Sequence, residues 1–250
     1  MSGPALSVAG IPDVPGAVNL RDVGGLPAGT RRTRAGVLYR SGSLAHLDAR
    51  GVAGLGRLQV RRVIDLRADD EVEHAPSRLP DDDPPTMQRV PLFLGSVASF
   101  FARDLSLDDL YRTILEDSAA GVVDVVRGVI ADQPVLVHCT VGKDRTGVTV
   151  AVALAAAGVD RAAVVADYAR TEALLPEWRS RQTVAGLRRM HPEAVHLEEL
   201  AIRSPAAVMD RMLEGLSDRY GSAAGYLRAH GMADDELNEL RRVLLVPAGE

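Results

Sequence analysis

His138-Cys139-Thr140-Val141-Gly142-Lys143-Asp144-Arg145-Thr146-Gly147 is the stretch around which the rest of the chain is read. Ahead of it, Pro134 opens the apolar run Val135 to Val137, whose length and β-branched content predict a buried strand ending in His138 and Cys139. Arg145 follows Cys139 after five residues, and the segment beyond Gly147 is apolar nearly all round, which predicts a buried helix. A strand, a curled loop and a helix N-terminus in succession make an anion site, because the loop amides and the unsatisfied donors of the helix converge. Arg145 adds a planar fork for two oxygens of a phosphate, and Gly142 suits a loop that needs unusual dihedrals and close backbone approach.

The same field acts on Cys139, the one cysteine of the chain. A lone cysteine is ordinarily an inert core residue. At a helix N-terminus beside an arginine, a thiol pKa falls from about 8.5 to roughly 3.5–7.5, which gives a thiolate at neutral pH. A thiolate under a bound phosphorus is an in-line nucleophile, and loop amides with Arg145 would stabilise the equatorial oxygens of the transition state. The expected path is a phosphocysteine intermediate that water hydrolyses. Thr140, Val141, Gly142, Lys143 and Thr146 are the expected substrate contacts. The Thr146 hydroxyl is placed to hydrogen-bond the thiolate or assist its departure. His138 is expected to steady the loop as a hydrogen-bonding residue rather than to act as a base.

Outward from the loop the pattern is mixed α/β. Val37 to Arg40, Arg62 to Leu66 and Gln88 to Leu92 read as strands, with a helix over Asp48 to Leu58. Met1 to Gly16, rich in Gly, Pro and Ala, reads as irregular, and Glu71 to Pro85, charged and proline-rich, as an exposed loop. Ser106 caps a helix whose apolar residues Leu107, Leu110, Tyr111, Ile114 and Leu115 share one face, and Val122 to Ile130 predicts another helix. The C-terminal part is helical: Asp160 as cap for Arg161 to Thr171, Ser204-Pro205 opening a helix to about Tyr220, and Asp234 to Leu245. No linker or repeat divides the chain, so one domain over 1–250 is expected.

A formal net charge of −5 and the lack of a basic stripe with interleaved aromatics argue against a nucleic-acid partner. The longest apolar stretch, Gly147 to Val159, is too short to span a bilayer, so no stable membrane insertion is expected. No basic region followed by an apolar block opens the chain; a cytoplasmic location is expected, with export by a signal-less route left open. A single cysteine, which precludes an intramolecular disulfide, suits a reducing compartment. His191 and His196 lack the helical spacing of a zinc pair, and Asp81 to Asp83 lack the rest of a calcium loop, so no metal and no cofactor are assigned.

The loop resembles the phosphate-binding loop of the protein tyrosine phosphatase superfamily, and Gly142-Lys143-Asp144-Arg145-Thr146-Gly147 is similar to that of the bacterial tyrosine/serine and lipid phosphatases. Asn19 to Gly25, Leu38 to Gly42, Ile64 to Arg67, Asp167-Tyr168 and Tyr220 to Leu227 match further parts of that family in the same order. The resemblance implies a phosphatase α/β fold, with a mostly parallel central sheet flanked by helices and a helical C-terminal half. It implies metal-free hydrolysis of phosphotyrosine, phosphoserine or phosphothreonine, and phosphoinositides, so the expected partner is a phosphorylated protein or a phosphoinositide. Lys143 resembles the lysine with which phosphoinositide-cleaving relatives contact an additional phosphate; its other reading is general positive potential or a pair with Asp144. It also implies that helices in 172–203 form a lid, against the alternative of an ordinary solvated helix pair.

The general acid is open between two residues. No Trp-Pro-Asp sequence, the acid-bearing motif of many tyrosine phosphatases, is present. Asp144 lies in the loop, and Asp65 ends a predicted strand on the sheet edge where ligands bind, with Arg67, Arg40 or Arg21 as alternative ion-pair partners. A phosphate-binding pseudophosphatase without turnover is the alternative function; dead relatives tend to lose Cys or Arg, and both are present here. An arsenate reductase would need further cysteines, and a sulfurtransferase fits the Lys-Asp-Arg-Thr-Gly run less well.

Overall fold

Alternation along three short strands sets the architecture. In the computed structural model, which describes residues 6–7, 11–92 and 104–248, the central sheet has strands β1 (Arg21–Asp22), β2 (Leu38–Ser41), β3 (Arg62–Asp65), β4 (Thr86–Arg89) and β5 (Val135–His138). Their order is β1-β2-β5-β3-β4, with β1 antiparallel to β2 and the other pairs parallel. Side chains on successive strand residues point to opposite faces. Leu38, Ile64, Val135 and Val137 therefore enter one apolar cluster, and Tyr39, Val63 and Leu136 enter the other. The second cluster is closed by Leu55 of helix α1 (Ala49–Arg57), whose N-terminus is capped by Asp48 through the Gly51 amide at 2.8 Å.

The larger cluster is covered by helices. α2 (Asp69–His74) follows β3. α3 (Leu107–Asp117) and α4 (Ala119–Ala131) precede β5, and α5 (Asp144–Ala157) follows it. Ser106 caps α3 through the Asp109 amide, as its sequence predicts. α5 is buried on nearly every side, which its uninterrupted apolar sequence requires. The remaining helices are α6 (Arg161–Ala169), α7 (Thr171–Leu174), α8 (Glu177–Met190), α9 (Leu197–Ala201), α10 (Ala206–Tyr220), α11 (Ala223–Ala229) and α12 (Asp234–Leu244). The chain thus has the expected α/β architecture, with a mostly parallel central sheet and a helical C-terminal half.

Several local expectations differ. Leu6–Ser7 pairs antiparallel with Ile11–Pro12 inside the segment read as irregular, whose other residues up to Gly10 lie outside the described ones. Glu71 to Pro85 opens in α2 rather than in loop. Asp160 holds the expected N-cap position of α6 but makes no side-chain bond to that helix, and the N-cap of α10 is Pro205, while the Ser204 hydroxyl accepts the Glu172 amide in the first turn of α7. Asp160 accepts from the Gly29 amide, and Ser204 is turned to Ala169 and Glu172.

Register brings the functional segment into place. Ser41, Asp65 and His138 are cross-strand partners at the carboxyl ends of β2, β3 and β5, and the loop from Cys139 leaves that edge.

Candidate active site

The loop Cys139 to Arg145 runs from the end of β5 into the first turn of α5. Gly142 carries φ +75°, and a Cβ there would lie 2.4 Å from the Ser41 carbonyl oxygen, so no other residue fits this turn undistorted. That conformation points the Gly142 amide at Cys139, whose Sγ accepts it at 3.2 Å. Cys139 itself is only 3% exposed. The carbonyl oxygen of Gly142 is held from behind by the Asn19 amide at 2.8 Å and by Arg40 at 3.0 Å.

Behind these two anchors lies a buried ion cluster. Asp167 accepts from Arg21 at 2.7 Å and from Arg40 at 2.8 Å. Burial alone would raise the Asp167 carboxyl pKa, but Arg40 and Arg21 outweigh it and hold the group below the usual carboxylate range. Burial and the neighbouring Arg40 lower Arg21 to about 10, which leaves it charged at neutral pH. Asn19, Arg21, Arg40 and Asp167 thus form the back wall of the loop. Their clue in the sequence is the family pattern alone, since they are scattered over the chain.

Arg145 is forked onto Glu71 of α2. Nη1 donates to Oε2 at 2.6 Å and Nη2 to Oε1 at 2.9 Å, with Nη2 also 3.2 Å from Thr140 Oγ1. Thr140 in turn donates to Glu71 Oε1. Burial opposes ionisation of Glu71, but Arg145 prevails and holds its carboxyl at about 2. Glu71 is absent from the sequence-based candidates, because its segment reads as a solvated charged loop.

The expected site residues divide as follows. Asp144 accepts from Lys143 Nζ at 2.7 Å and from Tyr111 at 3.0 Å, both at Oδ1. Lys143 is buried and also reaches the Glu199 carbonyl of α9 at 3.3 Å, so its pair with Asp144, one of its two readings, is present. Thr146 Oγ1 is buried without a hydrogen-bond partner, and no bond to Cys139 forms. Asp65 does not join the loop. It is buried and accepts from Arg67 Nε at 2.9 Å and Nη2 at 2.7 Å. Although burial works against it, the Arg67 pairing lowers its pKa, and Arg67 occupies both of its oxygens. His138 Nδ1 sits 3.2 Å from the Cys139 carbonyl oxygen, and burial pushes its pKa down to about 4.

Segment 172–203 lies over the loop. Leu175, Pro176, Ser180, Thr183, Ala201 and Ile202 face Val18, Thr140 and Val141 across a narrow space of about 50 Å³. Val18, Pro176 and Thr183 also border a neighbouring cleft of about 880 Å³, whose apolar walls include Leu20, Leu174, Trp178, Leu187 and Met190. Trp178 and Met190 are 67% and 66% exposed there.

A model of the tyrosine phosphatase family matches residues 12–246. The triple specificity protein phosphatase PtpB of Mycobacterium tuberculosis is 31% identical in an alignment that covers 93% of this chain and 98% of that protein. A tyrosine-protein phosphatase of Nostoc commune is 31% identical over 80% of this chain and 70% of its own length. The crystal structure of P. aeruginosa TpbA aligns at 23% identity with a TM-score of 0.39, over 74% of this chain and 89% of that one. The family match takes in the loop, the strands that carry it and the helices above it alike, and the chain belongs to the tyrosine phosphatase family.

Proposed function

We propose that the protein hydrolyses phosphate monoesters on Cys139, without a metal, through a phosphocysteine intermediate. The observation that carries this reading is the Cys139 sulfur held at 3.2 Å by the Gly142 amide, at the mouth of a loop that ends on Arg145 and the N-terminus of α5. Sulfur attacks phosphorus as the ester oxygen leaves. Loop amides, Arg145 and the helix terminus stabilise the equatorial oxygens, whose charge is spread in the transition state. Water then attacks phosphorus, the S–P bond breaks, and phosphate departs with the thiolate restored.

Asp144 serves as the acid that protonates the leaving oxygen and then takes a proton from the water. Its two donors both bind Oδ1, and among the described residues no hydrogen bond engages Oδ2. Thr140, Val141, Gly142, Lys143 and Thr146 line the phosphate. We read the chain as one phosphatase domain, with 172–203 as a lid that moves aside for substrate. The cytoplasm is the compartment that suits its unprotected thiol.

The substrates we infer are phosphotyrosine first, phosphoserine or phosphothreonine, and phosphoinositides. The name triple specificity phosphatase, carried by PtpB, supports that breadth, and the apolar cleft beside the loop suits an aromatic or lipid leaving group. The test is phosphate release from a phosphotyrosine peptide, a phosphoserine peptide and a phosphoinositide monophosphate, in EDTA, with Cys139→Ser as the blank. A lipid preference in kcat/KM makes Lys143 a specificity residue. A peptide preference leaves it an electrostatic bystander. Release from none of them contradicts the proposed function.

A further inference from the structure

Two tyrosines from different helices stand in line behind Asp144, the first residue of α5. The hydroxyl of Tyr111, on α3, lies 3.0 Å from Asp144 Oδ1, and the hydroxyl of Tyr168, on α6, lies 2.5 Å from that of Tyr111. Their rings cross edge to face, with centroids 6.0 Å apart and planes at 88°. Gly147, three residues along α5 from Asp144, makes room for the pair, since a Cβ there would lie 3.0 Å from the Tyr168 ring. Tyr111 and Tyr168 are 1% and 0% exposed, whereas the Asp144 side chain is 21% exposed. The row of hydroxyls thus starts in the core and ends on a carboxyl of the loop.

Lys143 sets the direction of this row. An ammonium has three donors and no acceptor, so Asp144 Oδ1 accepts from Lys143 Nζ at 2.7 Å. An oxygen that already accepts from an ammonium is the less basic of its pair, so a carboxyl proton on Asp144 is carried by Oδ2. Tyr111 then donates to Oδ1 and, its one proton spent, accepts from Tyr168. Burial, reinforced by the Asp144 charge, raises both phenols well above their usual range, so each keeps its proton to donate. Two roles fit such a row. It either satisfies two buried hydroxyls, or it fixes the carboxyl and keeps one of its oxygens occupied. The convergence of Tyr111 and Lys143 on the same oxygen favours the second.

We propose that Tyr111, backed by Tyr168, is a positioning residue for proton transfer to the leaving group, holding Asp144 by Oδ1 so that the transferable proton stays on Oδ2. As the ester bond breaks, that proton passes from Oδ2 to the leaving oxygen, and the charge left on the carboxylate is met at Oδ1 by donors already in place. When water attacks the phosphocysteine, Oδ2 takes the proton back. The inference rests on the function proposed above, in which Asp144 protonates the leaving oxygen.

The experiment measures kcat/KM, which covers the step in which the leaving group departs, on phenyl phosphate and p-nitrophenyl phosphate. Wild type, Tyr111→Phe and Tyr168→Phe are compared, each also in an Asp144→Asn background. A placed general acid contributes about 100- to 10,000-fold. Tyr111→Phe is expected to forfeit part of it, roughly tenfold on phenyl phosphate and much less on p-nitrophenyl phosphate, whose leaving group is less basic. Tyr168→Phe, one hydrogen bond further back, should show a smaller, roughly threefold loss with the same preference. In the Asp144→Asn background Tyr111→Phe should change kcat/KM on phenyl phosphate less than about twofold, because it acts through Asp144. A loss that is equal on the two substrates and persists in that background is a structural role and overturns the proposal, as does full activity of Tyr111→Phe on phenyl phosphate. Should Tyr111→Phe not fold, Tyr168→Phe is judged by the same criteria. Equal losses on both substrates in Asp144→Asn itself would remove the acid and this inference together. A leaving-group preference in Asp144→Asn but not in Tyr111→Phe overturns this inference alone. Wild-type turnover against Cys139→Ser reports separately on the proposed function.

Discussion

Asn19 donates its side-chain amide to the carbonyl oxygen of Gly142 at 2.8 Å, across 123 residues of chain. A carbonyl pinned from outside the loop keeps the peptide dipole fixed, and with it the next amides that line an anion. Asn19 also sits at φ +60°, a conformation that asparagine tolerates better than most residues. Asn19→Ala should therefore lower kcat/KM about tenfold, with a loss of about 1–2 kcal/mol in stability. Kinetics and thermal melting check both, and unaltered kinetics would mean that the loop holds its shape unaided.

Asp167 neutralises two buried arginines, and one of them, Arg40, completes the hold on Gly142. Removing the carboxylate leaves both guanidinium groups buried and unpaired. Asp167→Asn should lose about 3–5 kcal/mol, a fall of roughly 10 °C or more in Tm. A melt within a degree or two of wild type would show that the cluster is dispensable.

His138 is buried and neutral, with its pKa pushed down to about 4 by burial against an unfolded value of about 6.5. The unfolded chain binds the proton more readily, so stability from this residue is present above about pH 6.5 and is lost as pH falls towards 4. The loss is on the order of 3 kcal/mol. Denaturant midpoints measured from pH 7 to pH 4 check it. His138→Asn should flatten that slope, and an unchanged slope would assign the acid sensitivity elsewhere.

Asp144 is the proposed acid, and its importance should scale with the basicity of the leaving group. Asp144→Asn should lower kcat about 100- to 1,000-fold for phenyl phosphate and much less for p-nitrophenyl phosphate, whose leaving group is less basic. Equal losses on both substrates would remove Asp144 from that role.

The parts legible in the sequence are those written in consecutive residues. A β-branched run ending in cysteine, a short loop and an apolar helix specify the strand, nest and helix terminus at once. What was not legible depends on chain folding back on itself. Glu71 meets Arg145 across 74 residues, and α2 has no buried residue to give it a hydrophobic period, so its acidic sequence reads as loop. Asp65 illustrates the reverse. Its place at the sheet edge suggested an acid, but Arg67, two residues on, curls back to take both of its oxygens. The helices over the loop were read through resemblance, because α8 has no buried residue among those described and its sequence alone suits a solvated surface.

The central claim is that the phosphoryl group passes through Cys139. Acid-quenching the wild type during turnover of a phosphotyrosine peptide, followed by mass spectrometry of the peptide that contains Cys139, tests it most directly. The account predicts one phosphoryl group on Cys139, lost on further incubation without substrate and absent from Cys139→Ser, which should still bind the peptide. Turnover by Cys139→Ser, or a phosphoryl group trapped on any other residue, would contradict it.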